Sequence, residues 1–143
     1  MRLRNYKLIK FLPNNQLKGQ YRECALIAYG IKKNGTPNHL LVNKVTEYPI
    51  EHFLNYCRLV SNEMERRGFR TTRESQFRIE CLGTYREIET IFEGWHDTEY
   101  LRCNMANLWE KHFKAVGKSR ITDEEWQTLL NGYKEITGED YEI

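Results

Sequence analysis

The chain has 143 residues, 40% of them apolar, which is enough to bury one core and argues against a second independent one, so a single domain over 1–143 is expected. No run approaches the roughly 18 apolar residues of a membrane-spanning helix, and Met1-Arg2-Leu3-Arg4-Asn5-Tyr6-Lys7 lacks the apolar stretch of a signal peptide, so a cytoplasmic protein with no membrane partner is expected. The net charge of +2 hides a polarity: residues 1–46 carry nine cations against one anion, Glu23, a net of +8, leaving −6 for the rest. Such a chain suits a polyanion such as nucleic acid better than a small neutral substrate.

Periodicity begins after Leu12-Pro13-Asn14-Asn15, where Leu17, Tyr21, Cys24, Ala28 and Ile31 recur at steps of four and three on one helical face. Lys32-Lys33-Asn34-Gly35-Thr36-Pro37 ends that helix, and Asn38–Glu47 reads as a loop or a brief extended stretch. Pro49 opens a second helix, with Ile50, Phe53, Leu54, Cys57, Val60 and Met64 facing inward and Gly68 as its stop. Thr71–Gly83 has mixed character and reads as an ordered loop. Tyr85, Ile88, Ile91 and Phe92 predict a short helix ending at Gly94.

Asp97 or Thr98 then caps a longer helix carrying Leu101, Met105, Leu108, Trp109 and Val116, closed by Gly117. Thr122-Asp123-Glu124-Glu125 has the form of a capping box ahead of a last helix that buries Trp126, Leu129, Leu130 and Tyr133. Alternating strand patterns are nearly absent, so the expectation is an all-α bundle with ordered loops and no internal repeat.

Cys24, Cys57, Cys81 and Cys103 are scattered, with no Cys-x-x-Cys pair and no His at ligand spacing, so reduced, mostly buried thiols are expected and no metal site. His96-Asp97 reads as an exposed pair with Asp97 capping a helix, and His39, His52 and His112 are isolated. Trp95, Trp109, Trp126, Tyr100 and Tyr133 fall at helical spacing as core residues, with base stacking as the alternative. On the first helix, at about 100° per residue, Gln16, Gln20 and Glu23 form a polar stripe beside the apolar face, with Lys18, Arg22 and Lys33 on the opposite flank. On the residues alone, Glu23 could serve only to neutralise Arg22 or a nearby lysine.

Met1-Arg2-Leu3-Arg4-Asn5, Leu8-Ile9, Leu12, Gln16-Leu17 and Gln20-Tyr21-Arg22-Glu23 together resemble the amino-terminal motif of the phage-type pyrimidine-dimer DNA glycosylase and abasic-site lyase family. A weaker similarity runs through Arg58-Leu59-Val60, Glu63-Met64 and Arg66-Arg67-Gly68-Phe69. These cover about half of the chain, and the tail Gly138-Glu139-Asp140-Tyr141-Glu142-Ile143 is acidic where the phage enzymes have an aromatic, basic one.

The resemblance implies a helical DNA-repair enzyme acting on damaged double-stranded DNA without a cofactor, with Glu23 as the catalytic carboxylate and an N-terminal amine as nucleophile. An α-amine of pKa near 8 is roughly a tenth neutral at pH 7, against well under a thousandth of a lysine near 10.4, and only the neutral form attacks carbon. The bulky Arg2 predicts that the initiator methionine is retained, so the nucleophile would be the α-amine of Met1. Arg22 would grip phosphates and Gln16 would line the site. Arg2, Arg4, Lys10, Lys18, Lys32 and Lys33 are further candidates for phosphate contact. A non-catalytic nucleic-acid-binding module and a helical protein-interaction domain are the alternatives, and the oligomeric state is left open.

Overall fold

The computed structural model describes residues 2–34 and 40–142, and every regular element among them is helical. A 3-10 segment, Tyr6–Phe11, leads into α1 (Asn14–Asn34), followed by α2 (Leu40–Thr46), α3 (Ile50–Arg66), α4 (Arg73–Glu80), α5 (Thr98–Phe113) and α6 (Asp123–Thr137). The fold is therefore all-α. Leu17, Tyr21, Cys24 and Ala28 of α1 and Phe53, Leu54, Cys57, Val60 and Met64 of α3 are buried, as their spacing requires. With Leu101, Met105 and Leu108 of α5 and Trp126, Leu129 and Tyr133 of α6 they belong to the buried core. The ends follow the sequence signals too. Asp97 Oδ1 accepts the Tyr100 N–H at 2.8 Å, and Thr122 and Glu125 form the reciprocal capping box. Gly68 and Gly138 take the left-handed conformation just past α3 and α6, at φ of 82° and 77°.

Several local expectations are overturned. Within the stretch read as loop or extended, residues 40–46 form α2, because Val42 and Val45 bury one turn apart and tertiary packing overrides their β-branched character. Asn38 and His39, with the Gly35-Thr36-Pro37 stop, lie outside the described residues. The supposed loop at 71–83 holds α4, capped by Thr72, whose hydroxyl accepts the Ser75 N–H at 3.1 Å, and supported by an Arg78–Glu74 pair at 2.6 Å. It buries no side chain fully and packs on α1, so it lacks the apolar stripe that betrays a helix.

Conversely, the helix expected at Tyr85–Gly94 does not form. Asn55 of α3 donates to the Arg86 carbonyl at 2.6 Å and accepts the Ile88 N–H at 3.2 Å, while His52 Nδ1 accepts the Phe92 N–H at 2.8 Å. Side chains of α3 thus take backbone groups that a helix would have used internally, and Ile91 and Phe92 drop into the core from an irregular segment. Helix α5 ends at Phe113 rather than at Gly117, which leaves Val116 83% exposed instead of buried. Of the cysteines, Cys24 and Cys57 are buried but Cys81 and Cys103 are exposed.

Gly132 shows how closely α6 meets the 3-10 segment. A Cβ at this position would lie 2.4 Å from Cγ of Phe11 and 2.5 Å from its Cδ2. Gly132→Ala is therefore expected to destabilise the protein by about 1–2 kcal/mol in urea unfolding, because overpacking toward the upper part of the usual range of about 1–3 kcal/mol, as so short an approach to a ring demands, outweighs the gain of up to about 1 kcal/mol in helix propensity. A stabilised variant would show that Phe11 moves aside freely.

Candidate active-site cleft

Residues 2–5 have no regular structure of their own, and side chains from four parts of the chain bind their backbone groups and the N–H of Tyr6 at the start of the 3-10 segment. Gln20 of α1 clamps the segment from below: its Nε2 donates to the Arg2 carbonyl at 3.1 Å and its Oε1 accepts the Arg4 N–H at 2.9 Å. The Tyr56 hydroxyl of α3 lies 2.8 Å from both the Arg4 carbonyl and Gln20 Oε1 and donates between them. From α5, Tyr100 donates its hydroxyl proton to the Leu3 carbonyl, and Asn104 Oδ1 accepts the Asn5 N–H at 2.6 Å. His96 Nδ1 accepts the Tyr6 N–H at 3.0 Å. Burial raises the pKa of both Tyr56 and Tyr100, so these hydroxyls keep their protons for donation.

This clamp fixes the start of the chain against the polar face of α1. Arg2 and Arg4 line a cleft of about 380 Å³ with Gln16, Gln20, Arg22 and Glu23 of α1 and with Asn107 and Lys111 of α5. Glu23 is half-buried there. Arg4 is buried, and its pKa is lowered to about 10 by burial and then by the neighbouring charge of Arg2. Among the described residues that line the cleft, Glu23 is the one acid, in the company of Arg2, Arg4, Arg22 and Lys111. A basic cleft around a carboxylate can draw in an anionic polymer and hold a developing positive charge, or a proton in transfer, on the carboxylate.

The proposed site residues divide accordingly. Glu23, Arg22, Gln16, Arg2 and Arg4 come together, and Arg22 is not on an opposite flank from Glu23, since neighbouring residues on a helix can both edge one groove. Lys18 lies in an adjacent groove of about 570 Å³ that it shares with Arg22, its Nζ 4.2 Å from the centre of the Phe69 ring. Lys10 is elsewhere, 3.7 Å from Glu135 of α6. Lys32 and Lys33 lie in the last turn of α1, about 14 Å along the axis from Glu23 at 1.5 Å per residue. Met1, with its α-amine, lies outside the described residues.

His96 corrects another expectation, for it is buried at 6% exposure and not part of an exposed pair. Asn107 and Lys111 were not anticipated. Nor was the clamp formed by Tyr56, Tyr100, Asn104 and His96, although Asn104 carried a signal, being the one polar position on the Leu101–Met105–Leu108 face. Of the aromatics weighed between core and stacking roles, Trp126 and Tyr133 are core, while Trp95, Trp109 and Tyr100 are partly buried.

A protein-family model described as pyrimidine dimer DNA glycosylase matches residues 1–77. No curated protein and no solved structure matches the chain.

Proposed function

The chain belongs to the pyrimidine dimer DNA glycosylase family, and we propose that it excises damaged pyrimidines from duplex DNA and then nicks the abasic strand. The observation that carries this reading is Glu23 in a cleft whose other charged side chains, among the described residues, are Arg2, Arg4, Arg22 and Lys111. The α-amine of Met1 attacks C1′ of the damaged nucleotide. A bond forms from nitrogen to C1′, the glycosidic bond breaks, and its electron pair leaves with the base. Ring opening then gives an iminium, whose positive charge Glu23 stabilises while moving protons. Loss of a C2′ proton and of the 3′ phosphate completes β-elimination. Arg2, Arg22 and Lys111 hold backbone phosphates, and the damaged nucleotide must leave the stack because the scissile bond is otherwise shielded. The acid-base and electrostatic work in this scheme falls to side chains and the terminal amine.

Trapping distinguishes this from mere DNA binding. Incubation of the protein with duplex DNA containing one abasic site, followed by borohydride, is expected to give a covalent protein–DNA adduct that maps to Met1. Salt-sensitive DNA binding without any adduct would reduce the function to that of a binding module, and absence of binding would remove DNA as the ligand.

A further inference from the structure

Gln20 is 5% exposed and follows Leu17 and precedes Cys24 on a helix whose buried face would take an apolar side chain. An amide buried there costs stability unless it is hydrogen-bonded. Its bonds go to the amino-terminal segment and its support: Nε2 donates to the Arg2 carbonyl at 3.1 Å, and Oε1 accepts from the Arg4 N–H at 2.9 Å and from the Tyr56 hydroxyl at 2.8 Å. The side-chain amide thus pairs with backbone groups two residues apart, as a neighbouring strand would. From Leu3 onward the segment has other anchors. Leu3 is fully buried, its carbonyl is bound by Tyr100, and the Arg4 carbonyl is bound by Tyr56. The bond that reaches back to Arg2 comes from Gln20.

We propose that Gln20 is the positioning residue for the nucleophile, holding the terminal amine at its working distance from Glu23. The inference rests on the proposed amine chemistry of this cleft and adds to it the device that keeps the two reacting groups in register. Tyr56 and Tyr100 approach the segment from α3 and α5, whereas Gln20 stands three residues before Glu23 on α1. Side chains at that spacing are neighbours on a helix, with Cβ atoms about 5–6 Å apart. One helix therefore holds both the Arg2 carbonyl and the carboxylate. The amine belongs to the residue before Arg2, one Cα–Cα step of about 3.8 Å away. Without the Nε2 bond, the exposed Arg2 and the residue before it are held by the chain at Leu3. A displacement of about 1 Å between reacting groups costs on the order of 10²-fold in rate.

The test compares Gln20→Met and Gln20→Glu with the parent in the full chain. Both keep the length of the side chain. Methionine makes none of the three bonds, and ionised glutamate still accepts from Arg4 and Tyr56 but does not donate to the Arg2 carbonyl. Single-turnover cleavage of abasic duplex DNA is measured at saturating protein, so that affinity does not enter the rate. Both variants are expected to cleave, and to form the borohydride adduct at Met1, roughly 10–10²-fold more slowly than the parent. Affinity of Gln20→Met for a duplex carrying a tetrahydrofuran abasic analogue should stay within about fivefold of the parent, the scale of one loosened hydrogen bond, because Arg22 and Lys111 are carried by α1 and α5. Gly132→Ala is the control for lost stability. Its site faces Phe11 and not the cleft, so it should cleave at the parent rate under the same conditions.

Gln20 variants that cleave at the parent rate would overturn the proposal and leave the amine chemistry in place. Loss of rate and affinity in equal proportion in Gln20→Met, or equal slowing of the Gly132→Ala control, would make Gln20 a support of the fold and overturn it too. A parent that binds the duplex but forms no adduct has no nucleophile to position, which would remove the proposal together with the reading on which it rests.

Discussion

Glu23→Gln is expected to slow cleavage of abasic duplex DNA by roughly 10²–10⁴, the usual contribution of a positioned acid-base group, while DNA affinity stays equal or rises. The side chain is half-buried in a cleft lined by Arg2, Arg4, Arg22 and Lys111. Glutamine preserves its shape and its capacity to accept hydrogen bonds but carries no charge and cannot take a proton. A cleft without its one carboxylate is also more positive, which attracts phosphate more strongly. The two effects therefore have opposite signs, and a general loss of folding would not reproduce that split. Single-turnover cleavage and equilibrium binding, measured on the same duplex, separate them. A variant that cleaves at the parent rate would remove Glu23 from the chemistry. Parallel loss of cleavage and binding would instead point to damage of the cleft.

The helices that a reader could find in the sequence are those whose packing repeats along one face. α1, α3, α5 and α6 each bury residues three and four apart, and α5 and α6 begin with caps that need only three neighbouring residues to recognise. α2 and α4 were missed because neither carries such a stripe. The first is seven residues long and is held by Val42 and Val45 against the core, and the second buries nothing fully. Residues 85–94 deceived in the opposite direction, since their apolar spacing fits a helix. Their backbone is claimed by Asn55 and His52, thirty and more residues earlier, and nothing local announces that competition.

The candidate site divides in the same way. Gln16, Gln20, Arg22 and Glu23 lie within two turns of α1, so helical geometry places them together. Their company with Arg2 and Arg4 depends on Gln20 binding the backbone of the first residues, and with Asn107 and Lys111 on the packing of α5. Those are tertiary facts, and the α5 residues also fall outside the stretch matched by the family model. Charge alone does not place Lys10, Lys32 and Lys33 relative to the cleft, because a cation near the start of the chain need not lie near it. Lys10 faces Glu135, and the other two sit at the far end of a 21-residue helix.

His96→Asn is expected to remove a large part of the acid sensitivity of the fold. His96 is 6% exposed and packs among the rings of Tyr6, Phe92, Trp95 and Tyr100, with Trp95 at 4.6 Å between centroids. Its Nδ1 accepts the Tyr6 N–H, which requires the neutral ring with the proton on Nε2. Burial lowers its pKa to about 3, whereas an unfolded histidine titrates near 6.5. Between those values the unfolded chain takes up a proton that the native chain refuses, so stability falls as pH falls, by up to about 1.4 kcal/mol per pH unit. At pH 5 the loss from this group amounts to about 2 kcal/mol relative to pH 7.5. The phenols of Tyr6, Tyr56 and Tyr100 that surround it do not titrate in this window, because burial raises all three from a value already near 10. Asparagine can keep an acceptor for the Tyr6 N–H without titrating. In urea unfolding at pH 7.5 and 5.0, the parent should therefore lose about 2 kcal/mol more than the variant. Equal losses would assign the acid sensitivity to carboxylates elsewhere. The same proton would deprive Tyr6 of its acceptor, and Tyr6 follows directly on the segment that carries Arg2 and Arg4 into the cleft. Acid should accordingly loosen the clamp on the amino-terminal residues before the helices unfold. Faster hydrogen exchange at the Tyr6 and Asn5 amides of the parent at pH 5, relative to His96→Asn and after correction for intrinsic rates, would report it.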